Sequence, residues 1–126
     1  MAITTSTVPK RLAETLIIDI DADATPENNV FVGTSLASSF FYWEIDNSNI
    51  NAATYVKVQA ATSYDTAANI LYRFYAPANT KVVYTFPDGQ VFTTGISFIA
   101  TSTAASTGTQ SDPTNGTVAV KILGGT

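Results

Sequence analysis

The 126-residue sequence has no cysteine and no histidine. Without cysteine there is no disulfide, no thiolate metal ligand and no thiol nucleophile. Without histidine the commonest general base is missing. The chain holds only six Lys and Arg residues against ten Asp and Glu, and charged residues make up 13% of it. The six cations are scattered apart from Lys10-Arg11. Phosphate binding needs clustered Lys and Arg, so this balance argues against a nucleic-acid partner. No apolar run reaches membrane-spanning length. The opening Met1-Ala-Ile-Thr-Thr-Ser-Thr7 carries no charged-then-apolar leader, and synthesis without export is expected. Gly-rich phosphate loops and Walker patterns are absent as well.

What remains is a charge-poor chain rich in Thr, Ser, Ala and Asn, long enough for one domain with a real core. Such a surface suits being covered by partners. The organising stretch is Ser39-Phe-Phe-Tyr-Trp-Glu-Ile-Asp46-Asn-Ser-Asn49, with four consecutive aromatics. Aromatic and β-branched side chains suit a pleated surface, and the Asp/Asn/Ser run closes it, so it reads as a strand. Strict alternation puts Phe41, Trp43 and Ile45 on a core face and Phe40, Tyr42 and Glu44 on the other.

The remaining chain reads as more short strands. Glu14–Ala24 alternates, with Leu16, Ile18 and Ile20 on one face and Ile17, Asp19 and Asp21 on the other. Val30–Val32 is a short second strand. In Ala53–Ala60, Val56, Val58 and Ala60 face the core. Ile70–Tyr75 and Thr80–Phe86 follow, the latter with Val82, Tyr84 and Phe86 staggered against Lys81, Val83 and Thr85. Pro87-Asp88-Gly89 reads as a tight turn folding Thr80–Phe86 back on Gln90–Phe92 as a hairpin. Gly95 interrupts the next strand, as at a bulge. Thr101–Gly116 is a long linker, functional or mobile, and Thr117–Leu123 is the last strand. The expectation is a single all-β domain, a sandwich or barrel of about eight short antiparallel strands. It covers residues 14–126, behind an extended N-terminal arm at residues 1–13.

Chemistry-bearing residues are few. Asp19, Asp21 and Asp23 at spacing two place three carboxylates on one strand face; a Ca²⁺ ion would relieve their repulsion. No EF-hand pattern surrounds them, and a solvated strand face or charge-protected edge is the better account. Glu44 and Asp46 are the nearest thing to an acid–base pair, and a polar strand end explains them. Six tyrosines, among them an exposed Tyr64 in the Thr62–Asn69 loop, suit a sugar-stacking surface or simply strands with wet ends. The expectation is a protein that is not an enzyme and takes no cofactor or metal. The candidate partner contacts are Ile3, Val8 and Leu12 as isolated apolar anchors on the arm, Lys10 and Arg11 beside them, and Tyr64.

Several phrases resemble a known group. Trp43-Glu-Ile-Asp-Asn-Ser-Asn49, Ala53-Thr-Tyr-Val-Lys-Val58, Tyr84-Thr-Phe-Pro-Asp-Gly89 running into Phe92-Thr-Thr-Gly-Ile-Ser97, and Pro113-Thr-Asn-Gly-Thr-Val-Ala-Val-Lys121 are similar to stretches of small β-rich virion structural proteins of tailed bacteriophages. The resemblance runs over Phe40–Ile122 and leaves the N-terminal part without a counterpart. It implies a virion component made in the host cytoplasm. The favoured role is a capsid decoration (cement) protein that binds the major capsid protein on the outer shell and associates with itself as a dimer or trimer. A head-fibre, neck or tail component is the alternative within the particle. A carbohydrate-binding β-sandwich module is the alternative outside it.

Overall fold

The structure is a computed structural model, described here for residues 15–31 and 38–125. Among these residues it is all-β, with no helix and seven strands. They are β1 (Thr15–Ala22), β2 (Ser38–Asn47), β3 (Thr54–Gln59), β4 (Tyr72–Ala76), β5 (Thr80–Phe92), β6 (Ser97–Thr101) and β7 (Val118–Gly125). They form a four-stranded sheet, β1-β7-β2-β5, and a three-stranded sheet, β4-β3-β6, with every pairing antiparallel.

The two sheets pack face to face through the aromatic strand. Trp43 on β2 is fully buried and meets Phe74 of β4 at 5.3 Å and Phe98 of β6 at 5.4 Å between ring centroids. Edge-to-face and tilted contacts of this kind suit the charge distribution of aromatic rings. Ile45, Val56, Val58, Val120 and Ile122 fill the rest of the core. Asn47 closes one end: its side-chain N–H groups donate to Ala52 O (2.9 Å) and Pro77 O (2.9 Å), and its Oδ1 accepts from Thr54 Oγ1 (2.7 Å). One buried amide therefore ties together the turns after β2 and β4.

Strict alternation fails within β2. Phe40 pairs with Gly124 and Tyr42 with Leu123, so two steps along β2 match one along β7. Phe41 is the extra residue of a bulge, which moves Phe40 to the core face beside Trp43. Phe40 is fully buried and Phe41 partly exposed, the reverse of the alternating expectation.

The expected hairpin at Pro87-Asp88-Gly89 does not form. Thr80–Thr85 and Gln90–Phe92 pair with successive parts of β2 instead of with each other, and β5 is one strand. Tyr42 pairs with Thr85 and Phe40 with Gln90, so Pro87-Asp88-Gly89 is looped out along the strand. Gly89 takes φ +78°, and a Cβ there would sit 2.7 Å from the Phe41 ring. The turn chemistry is real, but it accommodates Phe41 rather than reversing the chain.

Two further expectations change. Val30 lies outside any strand; Glu27 makes an isolated bridge to Phe98, and Val30 N–H donates to Ile96 O at 2.9 Å. Seven strands stand among the described residues, close to the expected number of about eight. Ala60 lies beyond the end of β3 and is exposed.

Candidate functional site

The two outer faces of the sandwich differ. On the three-stranded sheet, loops cover the outward side chains of β3. Lys57 is fully buried there, its ammonium donating to Thr103 O (2.7 Å), Ala105 O and Gln110 Oε1. Burial holds this ammonium below the usual lysine range, with the Arg73 charge adding to the effect. Gln59 exchanges bonds with Asp65, donating to its carbonyl (2.7 Å) and accepting from its N–H (2.9 Å). Arg73 donates to Ala104 O at 2.8 Å, and Gly108 N–H to Thr66 O at 3.0 Å. The long segment after β6 is thus pinned over the sheet rather than left as a free linker.

The outer face of the four-stranded sheet is bare among the described residues. One cross-strand row runs Leu16, Leu123, Tyr42, Thr85; the next runs Ile18, Lys121, Glu44, Val83. Leu16 is 51% exposed, Ile18 55% and Ile20 77%, an apolar stripe on an edge strand. Val83 lies on the opposite edge, at 48%. Between these edges Glu44 reaches Lys121 at 3.6 Å and Lys81 at 3.8 Å.

β1 therefore turns its apolar face outward and presents Ile17 and Asp19 toward the other sheet. Asp19 pairs with Val120 in the core-facing row, and its Oδ2 is buried without a hydrogen-bond partner among the described residues. Burial chiefly, with the neighbouring Asp21 side chain and the charges of Glu27 and Asp21 favouring the protonated form, raises its pKa to about 6.

The acidic triplet does not converge. β1 bulges between Asp19 and Ala22, which breaks the alternation, and Asp23 lies beyond the strand. Asp19 Oδ1 accepts from Asp21 N–H (3.1 Å), and Asp23 Oδ1 from Thr25 N–H (2.8 Å), two local turns. No group of three or more acidic side chains able to hold a metal ion occurs among the described residues. Glu44 and Asp46 are likewise committed: Asp46 Oδ1 accepts from the side chain and backbone of Ser48, which lowers its pKa.

Tyr64, expected exposed, is half-buried. Its hydroxyl is enclosed without a partner among the described residues, burial raises its pKa, and its N–H donates to Asn28 Oδ1 at 2.8 Å. Tyr84 donates to Tyr75 O and Tyr72 to Gln90, so two more tyrosine hydroxyls tie β4 to β5. A cleft of about 350 Å³ beside the end of β3 is lined by Gln59, Ala60, Ala61, Ala68, Asn69, Ile70 and Leu71, with no charged group in its wall. Ile3, Val8, Lys10, Arg11 and Leu12 lie outside the described residues. No helix among the described residues is long and apolar enough to cross a membrane.

The apolar stripe is the feature that sequence reasoning missed. Alternation places Leu16, Ile18 and Ile20 on one face, but only the pairing with β7 reveals that this face points out. No family model, curated protein or solved structure matches the chain, and the phage resemblance rests on the sequence phrases alone.

Proposed function

We propose that the protein is a structural component of a bacteriophage particle, a decoration (cement) protein that binds the outside of the shell as a homo-oligomer, with the major capsid protein as its partner. The observation that carries an assembly role is the bare outer face of the four-stranded sheet, with Leu16, Ile18 and Ile20 on one edge and Val83 on the other. Exposed contiguous apolar surface with polar groups between is the mark of an interaction face. The opposite sheet supports the same reading, because loops bury its outward Lys57 and Gln59, while the outer face of the four-stranded sheet has no such cover among the described residues. The choice of a phage shell among possible partners comes from the sequence resemblance. Repetition over a multivalent shell turns modest single contacts into durable attachment.

The test is co-sedimentation of the purified protein with capsids lacking it, followed by heating of decorated and bare particles. The expected result is saturable binding that raises the temperature of genome release, weakened by Ile18→Asp or Val83→Asp. Failure to bind capsids, or recovery only with tails, refutes the cement reading.

A further inference from the structure

We infer that the outer face of the four-stranded sheet is covered by the same face of a second copy, related to the first by a two-fold axis running along the strands. Ile18 of each copy then lies over Val83 of the other, and Lys121 over Glu44. This rests on the assembly reading above and names the occupant of that face. The shell then meets the pair rather than the bare sheet.

The composition of the face suits a partner of its own kind. Its rims are apolar, with Leu16, Ile18 and Ile20 exposed on β1 and Val83 and Val91 exposed on β5. Its middle is polar and balanced. Glu44 and Asp46 of β2 lie beside Lys121 of β7 and Lys81 of β5, so two acids meet two bases. Both lysine side chains are about half exposed and can reach a second carboxylate. A strongly charged ligand finds no matching field on such a surface, whereas a neutral face with apolar rims does.

The order of residues across the sheet decides how the copies meet. The central row reads Ile18, Lys121, Glu44, Val83 across β1, β7, β2 and β5. A two-fold axis along the strands reverses this row in the second copy, so each contact occurs twice. Ile18 then faces Val83, and Lys121 faces Glu44. The neighbouring row, Leu16, Leu123, Tyr42, Thr85, reverses to set Leu123 on Tyr42 and Leu16 on the Thr85 methyl. An axis across the strands keeps the order instead. It stacks Lys121 on Lys121 and Glu44 on Glu44, like charges that repel. Of the two, only the first pairs opposite charges. Face-packed sheets keep their strands within about 30° of each other, so the central row retains this match.

The size of the face is sufficient. Strands β1 and β7 are each eight residues long. With strands about 4.8 Å apart and residues about 3.3 Å along them, the face measures about 500 Å², or about 1,000 Å² for the pair, the lower limit for a specific interface. Edge pairing is the competing arrangement, because β1 and β5 both end the sheet. It extends the sheet and leaves Ile18, Val83 and the row between them uncovered.

The test uses the full chain without capsids. Lys121→Glu and Glu44→Lys chains are purified apart and then mixed. Each alone sets like charges against each other across the pair and should weaken self-association in sedimentation equilibrium by roughly tenfold or more. The equimolar mixture restores opposite charges at both positions and should regain a dimer. The absence of cysteine allows a second readout that does not depend on the charge variants. Ile18→Cys and Val83→Cys chains are mixed and treated with a bismaleimide shorter than the three strand spacings, about 14 Å, that separate the two sites within one copy. The expected result is a cross-linked dimer from the mixture and little from either variant alone. A monomeric wild-type chain overturns the inference, as does a charge-variant mixture that associates no better than its components. Cross-linking of Ile18→Cys to itself, the mark of edge pairing or of the crossed axis, overturns it too. Dimers that pass both tests yet fail to bind capsids refute the cement reading and leave this inference standing; a chain that decorates capsids without dimerising does the reverse.

Discussion

Lys57→Met should release the loop over the three-stranded sheet without unfolding the sandwich. Methionine keeps an unbranched stem and deletes the ammonium. Three acceptors then lose their donor: Thr103 O, Ala105 O and Gln110 Oε1. Hydrogen bonds from a charged donor contribute about 1.5–3 kcal/mol each, which sums to a gross loss of about 4.5–9 kcal/mol. Two effects reduce it. Burying the ammonium without a carboxylate partner costs several kcal/mol, and methionine avoids that cost. The loop carbonyls also regain water once the loop lifts. A net destabilisation of about 1–3 kcal/mol remains. The assay is urea unfolding followed by circular dichroism, with amide exchange read at Ser102, Gly108 and Ser111. Those N–H groups donate to Ser111 O, Thr66 O and Thr103 Oγ1, all within or beside the loop. Their protection should fall while that of β2 and β7 amides persists. Unchanged protection at all three, or a gain in stability, refutes the reasoning and means that the loop holds itself.

Trp43→Ala should cost about 3–5 kcal/mol in urea unfolding, the range for large aromatic truncations; the indole N–H has no hydrogen-bond partner among the described residues, so packing alone sets the loss. Gly124→Ala should cost about 1–3 kcal/mol by overpacking, because the new Cβ falls 2.6 Å from the Phe31 ring and 2.7 Å from Ser39 O; a neutral result in the same assay contradicts that crowding. Asp19→Asn should stabilise the protein near neutral pH and have little effect at low pH. The folded pKa of Asp19 is raised from 3.8 to about 6, so its favourable contribution is full below the ordinary value and is lost as pH rises through about 6. Thermal melts of both forms from pH 3.5 to 7.5 should diverge as pH rises, and parallel curves count against the buried-carboxylate account.

The period-two signal carried most of the fold. Val56 and Val58, Val82 and Tyr84, and Val118, Val120 and Ile122 all lie inward as their alternation requires. It failed where a strand stops alternating. Nothing local in Phe40-Phe41-Tyr42 says which aromatic is the surplus residue; the step from Gly124 to Leu123 on β7 decides it. Pro87-Asp88-Gly89 failed for a related reason. A tight-turn sequence reverses the chain only if its flanks pair with each other, and both flanks here find β2 first, because it is long enough to take them in succession. Lys57 was invisible for another reason: its alternation correctly places it opposite the core, but a loop from 46 residues later buries it.

The candidate site illustrates the same limit and gives it a functional meaning. Alternation groups Leu16, Ile18 and Ile20 together, and hydrophobicity alone would turn them inward. The ladder with β7 turns Ile17 and Asp19 inward instead, at the cost of a desolvated carboxylate. A strand slipped by one residue would bury the isoleucines and free the aspartate, since one step exchanges the faces. The observed register forgoes that gain. Its strand leaves apolar area exposed on one face and holds a poorly solvated carboxylate on the other, both costly in an isolated chain. The local conflict between register and hydrophobicity on β1 therefore falls on the face proposed above for assembly, where a departure from local consistency is expected. Sequence alone could show the ingredients of that conflict but not the register that creates it.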